Sequence, residues 1–173
     1  MSNLGLLNSY LGIEVIQEKC EISLNQRAYV VKILEQFNMM NCNSAHTPME
    51  ARLKFVKNGP YSTIDSMLYQ SLIESLRYLT HTHPDLVFSV GFLSRFMEHP
   101  TSEHMMGLKR VLRYITRTLD YGLVYEKGQV AAQLIGYTNS DYAGDVEDQK
   151  STMGYVFFYG SMAISWTSQK QKI

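Results

Sequence analysis

Apolar residues recur along this chain with two different periods. Val30, Ile33, Leu34 and Phe37 stand at i, i+3, i+4 and i+7, which places them on one face of a helix from about Gln26 to Met39, with Asn25 as its cap. Upstream, Tyr10 to Val15 and Glu21 to Leu24 read as a short β-hairpin turning through Gln17–Cys20. From Asn41 to Tyr61 the pattern is lost, and Pro48, Gly59 and Pro60 mark a connecting segment. The helical period then returns. Leu68, Leu72, Leu76 and Leu79 form a stripe on a helix capped by Thr63 or Asp65 and ending near Thr82. Pro84 opens a second helix, with Asp85 in its first turn and Leu86, Val90, Leu93 and Met97 facing inward, which stops before Pro100. A third runs from Thr101 or Ser102 to about Thr118 on Met105, Leu108, Leu112 and Ile115. Residues 63–118 are therefore expected to form a compact three-helix unit.

Beyond Asp120 the period is that of strands. Gly122–Tyr125 and Gln133–Tyr137 read as a pair around Lys127–Gly128, and Tyr155–Tyr159 with Ala163–Trp166 as a hairpin across Gly160–Ser161. The tail from Thr167 to Ile173 brings no further element, so the sheet has nothing sequence-local to cover its apolar face. That is the pattern of an unfinished domain. The fold class expected is α+β.

Length and composition narrow the classes. The 173 residues suit one domain, or one small domain plus part of a second, and 45% apolar content with 12 tyrosines argues against disorder. Equal numbers of basic and acidic residues, 16 of each, remove any net-charge argument for a nucleic-acid or membrane-surface protein. No apolar run approaches the roughly 18 residues of a spanning helix, so membrane insertion is not expected. MSNLGLLNSYLGIEV lacks the features of a secretion signal, which makes the cytoplasm or nucleus the default location. Cys20 and Cys42 are expected as thiols of a reducing compartment.

Three groups of side chains could carry chemistry. Asp141, Asp145, Glu147 and Asp148 follow a strand, where carboxylates can hold Mg²⁺. A solvated acidic turn is the simpler reading of those residue types. Lys109, Arg110, Arg113 and Arg117 lie on one helix, the three arginines on a common face opposite the apolar stripe. Such a row suits phosphate contacts or a solvated face. His81, His83, His99 and His104 have no Cys or carboxylate partner at a zinc-site spacing. Neither a metal site nor a cofactor is expected, and the sequence has no glycine-rich phosphate loop or GxSxG elbow.

A set of ordered motifs is more specific. SYLGIEV (Ser9–Val15), ISLNQRAYVVKILEQFNM (Ile22–Met39), TPM (Thr47–Met49), YQSLIESLRYLTHTHPD (Tyr69–Asp85), LSRFMEHP (Leu93–Pro100) and LKRVLRYITRTLDYGLVY (Leu108–Tyr125) occur in this order. GYTNSDYAGD (Gly136–Asp145), KSTMGYVFFYG (Lys150–Gly160) and AISWTSQKQ (Ala163–Gln171) complete the series. In order and spacing the chain resembles the copia-type retrotransposon Pol polyprotein. The resemblance implies that residues 1–125 correspond to the C-terminal, thumb- or connection-like region of reverse transcriptase. Residues 130–173 would then be the opening strands of ribonuclease H. The polymerase's YVDD-type carboxylates would lie upstream of Met1, leaving no site for two-metal nucleotidyl transfer. In the family's YSDADWAGD pattern the first Asp is a metal ligand. Asn139 stands at that position here and Asp141 at the second, and the next catalytic Glu would fall beyond Ile173. Glu74 and His83 also replace the family's Gly and Arg.

The resemblance leaves two functions. One is a non-catalytic Pol-derived fragment. The other is a secreted RxLR-type effector that suppresses cell death or defence in a plant host, because Arg110-Val111-Leu112-Arg113 matches that motif and the chain is similar to short copia-like chains of that class. Its partner would be a host plant protein, and its destination the host cytoplasm or nucleus. The family's own KRILRY helix explains the same four residues as inherited, with arginines outward and Val and Leu inward. A lesser reading keeps weak nucleic-acid binding through Lys109 to Arg117.

Overall fold

The computed structural model describes residues 5–50, 53, 55–57, 59–128, 132–140 and 149–171. The N-terminal hairpin is present in elaborated form. β1 (Ser9–Tyr10) turns into β2 (Ile13–Gln17) through Leu11 and Gly12, whose φ values of 50° and 79° are those of a primed two-residue turn. The strand expected from Tyr10 to Val15 is thus interrupted at Leu11. β3 (Glu21–Asn25) returns antiparallel to β2.

α1 (Arg27–Gln36) buries Val30, Ile33 and Leu34. The Asn25 side chain accepts from the Arg27 amide at 3.4 Å, and Glu14 from β2 accepts the Ala28 amide at 2.8 Å. The helix stops short of the expected Met39 because Asn38 adopts φ 54°. That conformation lets the Met39 amide reach the Leu34 carbonyl at 2.7 Å and the Asn38 amide reach Glu35, satisfying the last carbonyls.

α2 (Ser66–Leu79) is capped by Asp65, which accepts from the Met67 amide at 2.8 Å. Its buried face is Tyr69, Leu72, Ile73, Leu76 and Leu79, whereas Leu68 is 48% exposed. The inward stripe therefore begins one position later than expected. Tyr69 takes the place because its hydroxyl donates to the Leu93 carbonyl at 2.8 Å. The expected Pro84 helix is irregular. A 3₁₀ turn (Pro84–Leu86) leads into α3 (Val87–Leu93), and a second (Ser94–Phe96) ends it, with the Ser94 hydroxyl bonded back to the Gly91 carbonyl. α4 (Ser102–Ile115) follows Thr101 and buries Leu108, Val111, Leu112 and Ile115. Side chains of all four helices and Phe55 form one apolar core.

β4 (Gly122–Glu126) corrects the expected pairing. It joins β3 in register from Glu21↔Glu126 to Asn25↔Gly122, not the strand that follows, and gives a four-stranded sheet ordered β1-β2-β3-β4. A side chain at Gly122 would stand 2.2 Å from the Leu24 carbonyl, so glycine permits this approach, while Leu123 turns inward. β5 (Leu134–Ser140), β6 (Thr152–Tyr159) and β7 (Met162–Lys170) form a separate antiparallel sheet in that order, with an irregularity at Phe157/Phe158. β7 extends to Lys170, past the expected Trp166.

One face of this second sheet packs along β6 and β7 against the helical unit and β4, while β5 stays exposed. The Trp166 indole donates to the Thr80 carbonyl at 3.0 Å, Arg95 donates to the Thr152 hydroxyl at 2.7 Å, and the Tyr125 hydroxyl donates to the Ala163 carbonyl at 3.2 Å. The opposite face leaves Met153, Tyr155, Phe157 and Tyr159 exposed. The expectation of an uncovered sheet therefore holds for one face and for β5, and fails along β6 and β7 of the other face. Helices and two antiparallel sheets make the fold α+β.

Candidate functional site

The α4 period separates Arg110-Val111-Leu112-Arg113 into two environments. Val111 and Leu112 are buried in the core, at 0% and 1% exposure. The arginines face residues 43–50, the stretch whose position the sequence pattern did not indicate. Arg110 donates to Glu50 at 2.7 Å and to the Thr47 hydroxyl at 3.1 Å. Arg113 donates from Nε to the Asn43 carbonyl at 2.6 Å, and its own carbonyl accepts the Ala45 amide at 3.0 Å. One turn further, Arg117 contacts His46. Lys109 is exposed. The three arginines of the expected row thus contact the 43–50 loop and strap it to the helix. Glu50 is 61% exposed, so its ion pair with Arg110 is worth about 1 kcal/mol or less. The bonds to backbone do more of the fixing.

His104 sits at 0% exposure in the first turn of α4, stacked on Phe96 with ring centres 4.0 Å apart. Its Nδ1 accepts from the Thr101 amide at 3.0 Å, which fixes the neutral tautomer with the proton on Nε2. Burial holds its pKa below the usual value, and a Val56 backbone contact works weakly against that. His83 is equally buried and also held low by burial, opposed by Asp85 at 3.9 Å. The sequence offered His83 only as a replacement of the family's Arg and both histidines only as members of a group without a zinc-site partner, with no signal of their burial. Cys20 and Cys42 are free thiols.

Asn139 lies on β5 opposite Gly154, exposed. Asp141 and the acidic group Asp145, Glu147 and Asp148 lie outside the described residues. Among the described residues no three His, Cys, Asp or Glu side chains gather into a metal-binding group. Asn139 offers a neutral amide oxygen, a weaker Mg²⁺ donor than the carboxylate which the resemblance implies at that position. No helix among the described residues is long and apolar enough to cross a membrane.

Comparison with known proteins defines the class. Residues 1–51 match the family described as reverse transcriptase (RNA-dependent DNA polymerase). Across 96% of its length the chain is 38% identical to the retrovirus-related Pol polyprotein from transposon RE1 of Arabidopsis thaliana, of which it spans 11%. It belongs to the copia-type retrotransposon Pol family and is of enzymatic origin. An uncharacterized mitochondrial protein of Arabidopsis thaliana is 32% identical over 99% of the chain and 70% of that protein. The secreted RxLR effector protein 161 of Plasmopara viticola is 41% identical over 68% of the chain and 77% of that protein. No solved structure matches.

Proposed function

We propose that the chain is a folded, non-catalytic module of Pol origin. In this reading residues 1–125 are a reverse-transcriptase C-terminal region and residues 130–173 the opening part of a ribonuclease H-like segment. The closure of the first sheet by β4, ending at Glu126, supports a boundary near that residue. The observation that carries the reading is Asn139, a neutral amide where the family pattern has a metal-ligating Asp. Without that charge a two-Mg²⁺ site loses the bridging group that offsets ion–ion repulsion. The test is calorimetric titration of the chain with Mg²⁺ beside Asn139→Ala. The expected result is the same featureless heat for both. A saturable site that Asn139→Ala removes would overturn the reading.

A second reading, a secreted RxLR-type effector acting inside plant cells, is favoured by the 41% identity to a protein of that name. Its motif arginines hold the 43–50 loop and its middle residues are buried, so a receptor of the linear motif would meet it only in an opened chain. Expression in leaf cells challenged with a death inducer tests it. Suppression that an unrelated copia fragment lacks would support the effector role, and death at the control level would end it.

A further inference from the structure

We propose that the cleft between α3 and the second sheet binds an uncharged planar heteroaromatic ring of nucleobase size. Its volume is about 410 Å³, within the range of small-ligand sites. The floor is built by cross-strand register. Tyr137, Val156 and Trp166 stand opposite one another on β5, β6 and β7, so their side chains form one row on one face. The next row is Asn139, Gly154 and Ser168, where Gly154 supplies no side chain and leaves the floor hollow. Phe88 of α3 forms the facing wall.

The chemistry of these walls selects the ligand. Tyr137, 61% exposed, and Phe88, 44% exposed, both line the cleft. Trp166 is held as a fixed wall by its bond to Thr80. Flat π-faces favour a flat ring. Among the described residues the lining side chains are apolar, aromatic, hydroxyl or carboxamide, a set suited to a neutral ring. Asn139 supplies a carboxamide, both donor and acceptor, suited to the mixed edge of a heteroaromatic ring.

Trp166 is the only tryptophan of the chain, so its emission reports the cleft directly. The experiment is titration of the intact chain with adenosine, with ribose as the non-aromatic control and an oligo-dA strand as a second source of the same ring. Saturable quenching by adenosine and none by ribose is expected. Tyr137→Ala and Asn139→Asp, both at exposed positions, should each raise the midpoint by about five-fold or more, with unchanged far-UV circular dichroism. Quenching by adenosine alone identifies a free nucleoside as the source, and quenching by both identifies a base within a strand; either supports the proposal. No saturable change up to about 10 mM, equal quenching by ribose, or midpoints unmoved in both variants would overturn it.

Discussion

Arg113 and Asn43 are joined by a 2.6 Å bond from the guanidinium Nε to a backbone carbonyl, 70 residues apart in sequence. With the Ala45 amide bonded to the Arg113 carbonyl, the contact fixes a loop across α4 through one residue. A charged donor on a carbonyl contributes roughly 1.5–3 kcal/mol when well shielded. Arg113 is half-buried, so Arg113→Ala is expected to cost about 1–2 kcal/mol. Arg110→Ala, which loses a more exposed ion pair, should cost about 1 kcal/mol or less. Chemical denaturation measures both, and hydrogen exchange should show faster exchange of the Ala45 amide in Arg113→Ala. Equal stability of wild type and Arg113→Ala would contradict the strap.

The same strap limits what α4 can offer to a phosphate backbone. Arg110 and Arg113 are half-buried and engaged with the loop, which leaves Lys109 and Arg117 as the exposed members of the row. Duplex binding should then be weak, with a log affinity against log salt slope of about −1.8. A slope of about −3.6 would mean that four basic groups reach phosphates and the loop has lifted.

The face of α2 can be read by two leucine truncations. Leu72→Ala removes a side chain at 1% exposure from the helical core and should cost about 2–5 kcal/mol. Leu68→Ala, at 48% exposure, should change stability by about 0.5 kcal/mol. Comparable losses would place the stripe where the leucine spacing alone had put it.

Acid should destabilise the fold through its buried histidines. Burial holds His83 and His104 below the ordinary 6.5, so the unfolded chain binds more protons as pH falls past that value. The stability they contribute is complete above pH 6.5 and is lost progressively as pH falls through their folded-state values. Protonating His104 also removes the acceptor for the Thr101 amide. His104→Gln keeps an acceptor at that helix position without titrating, so its melting temperature should fall less between pH 7 and 5 than that of wild type. Parallel pH profiles would remove His104 from the account.

What the sequence revealed follows from the range of the interactions. Period-3.6 stripes placed all four helices, and Asp65 was legible as one of two candidate caps because its bond is two residues long. The β6–β7 hairpin was legible for the same local reason. The partner of β4 was not, since its pairing with β3 spans most of the chain and turns on the close approach at Gly122. The 43–50 loop has no periodicity, so nothing local indicated that it would lie on α4. The RVLR segment was read correctly as two inward and two outward residues, but the outward pair meets protein as well as solvent. Asn139 stood out through the family pattern alone; its place on the cleft floor emerged from strand register.

The measurement that bears most directly on the central claim is hydrolysis of the RNA strand in an RNA–DNA hybrid by the purified chain in Mg²⁺ and Mn²⁺. On the proposed reading, in which Asn139 replaces the family's metal-ligating Asp, the chain is predicted to cleave no faster than the metal-only blank. Metal-dependent cleavage above that blank, abolished by Asn139→Ala, would contradict the non-catalytic reading.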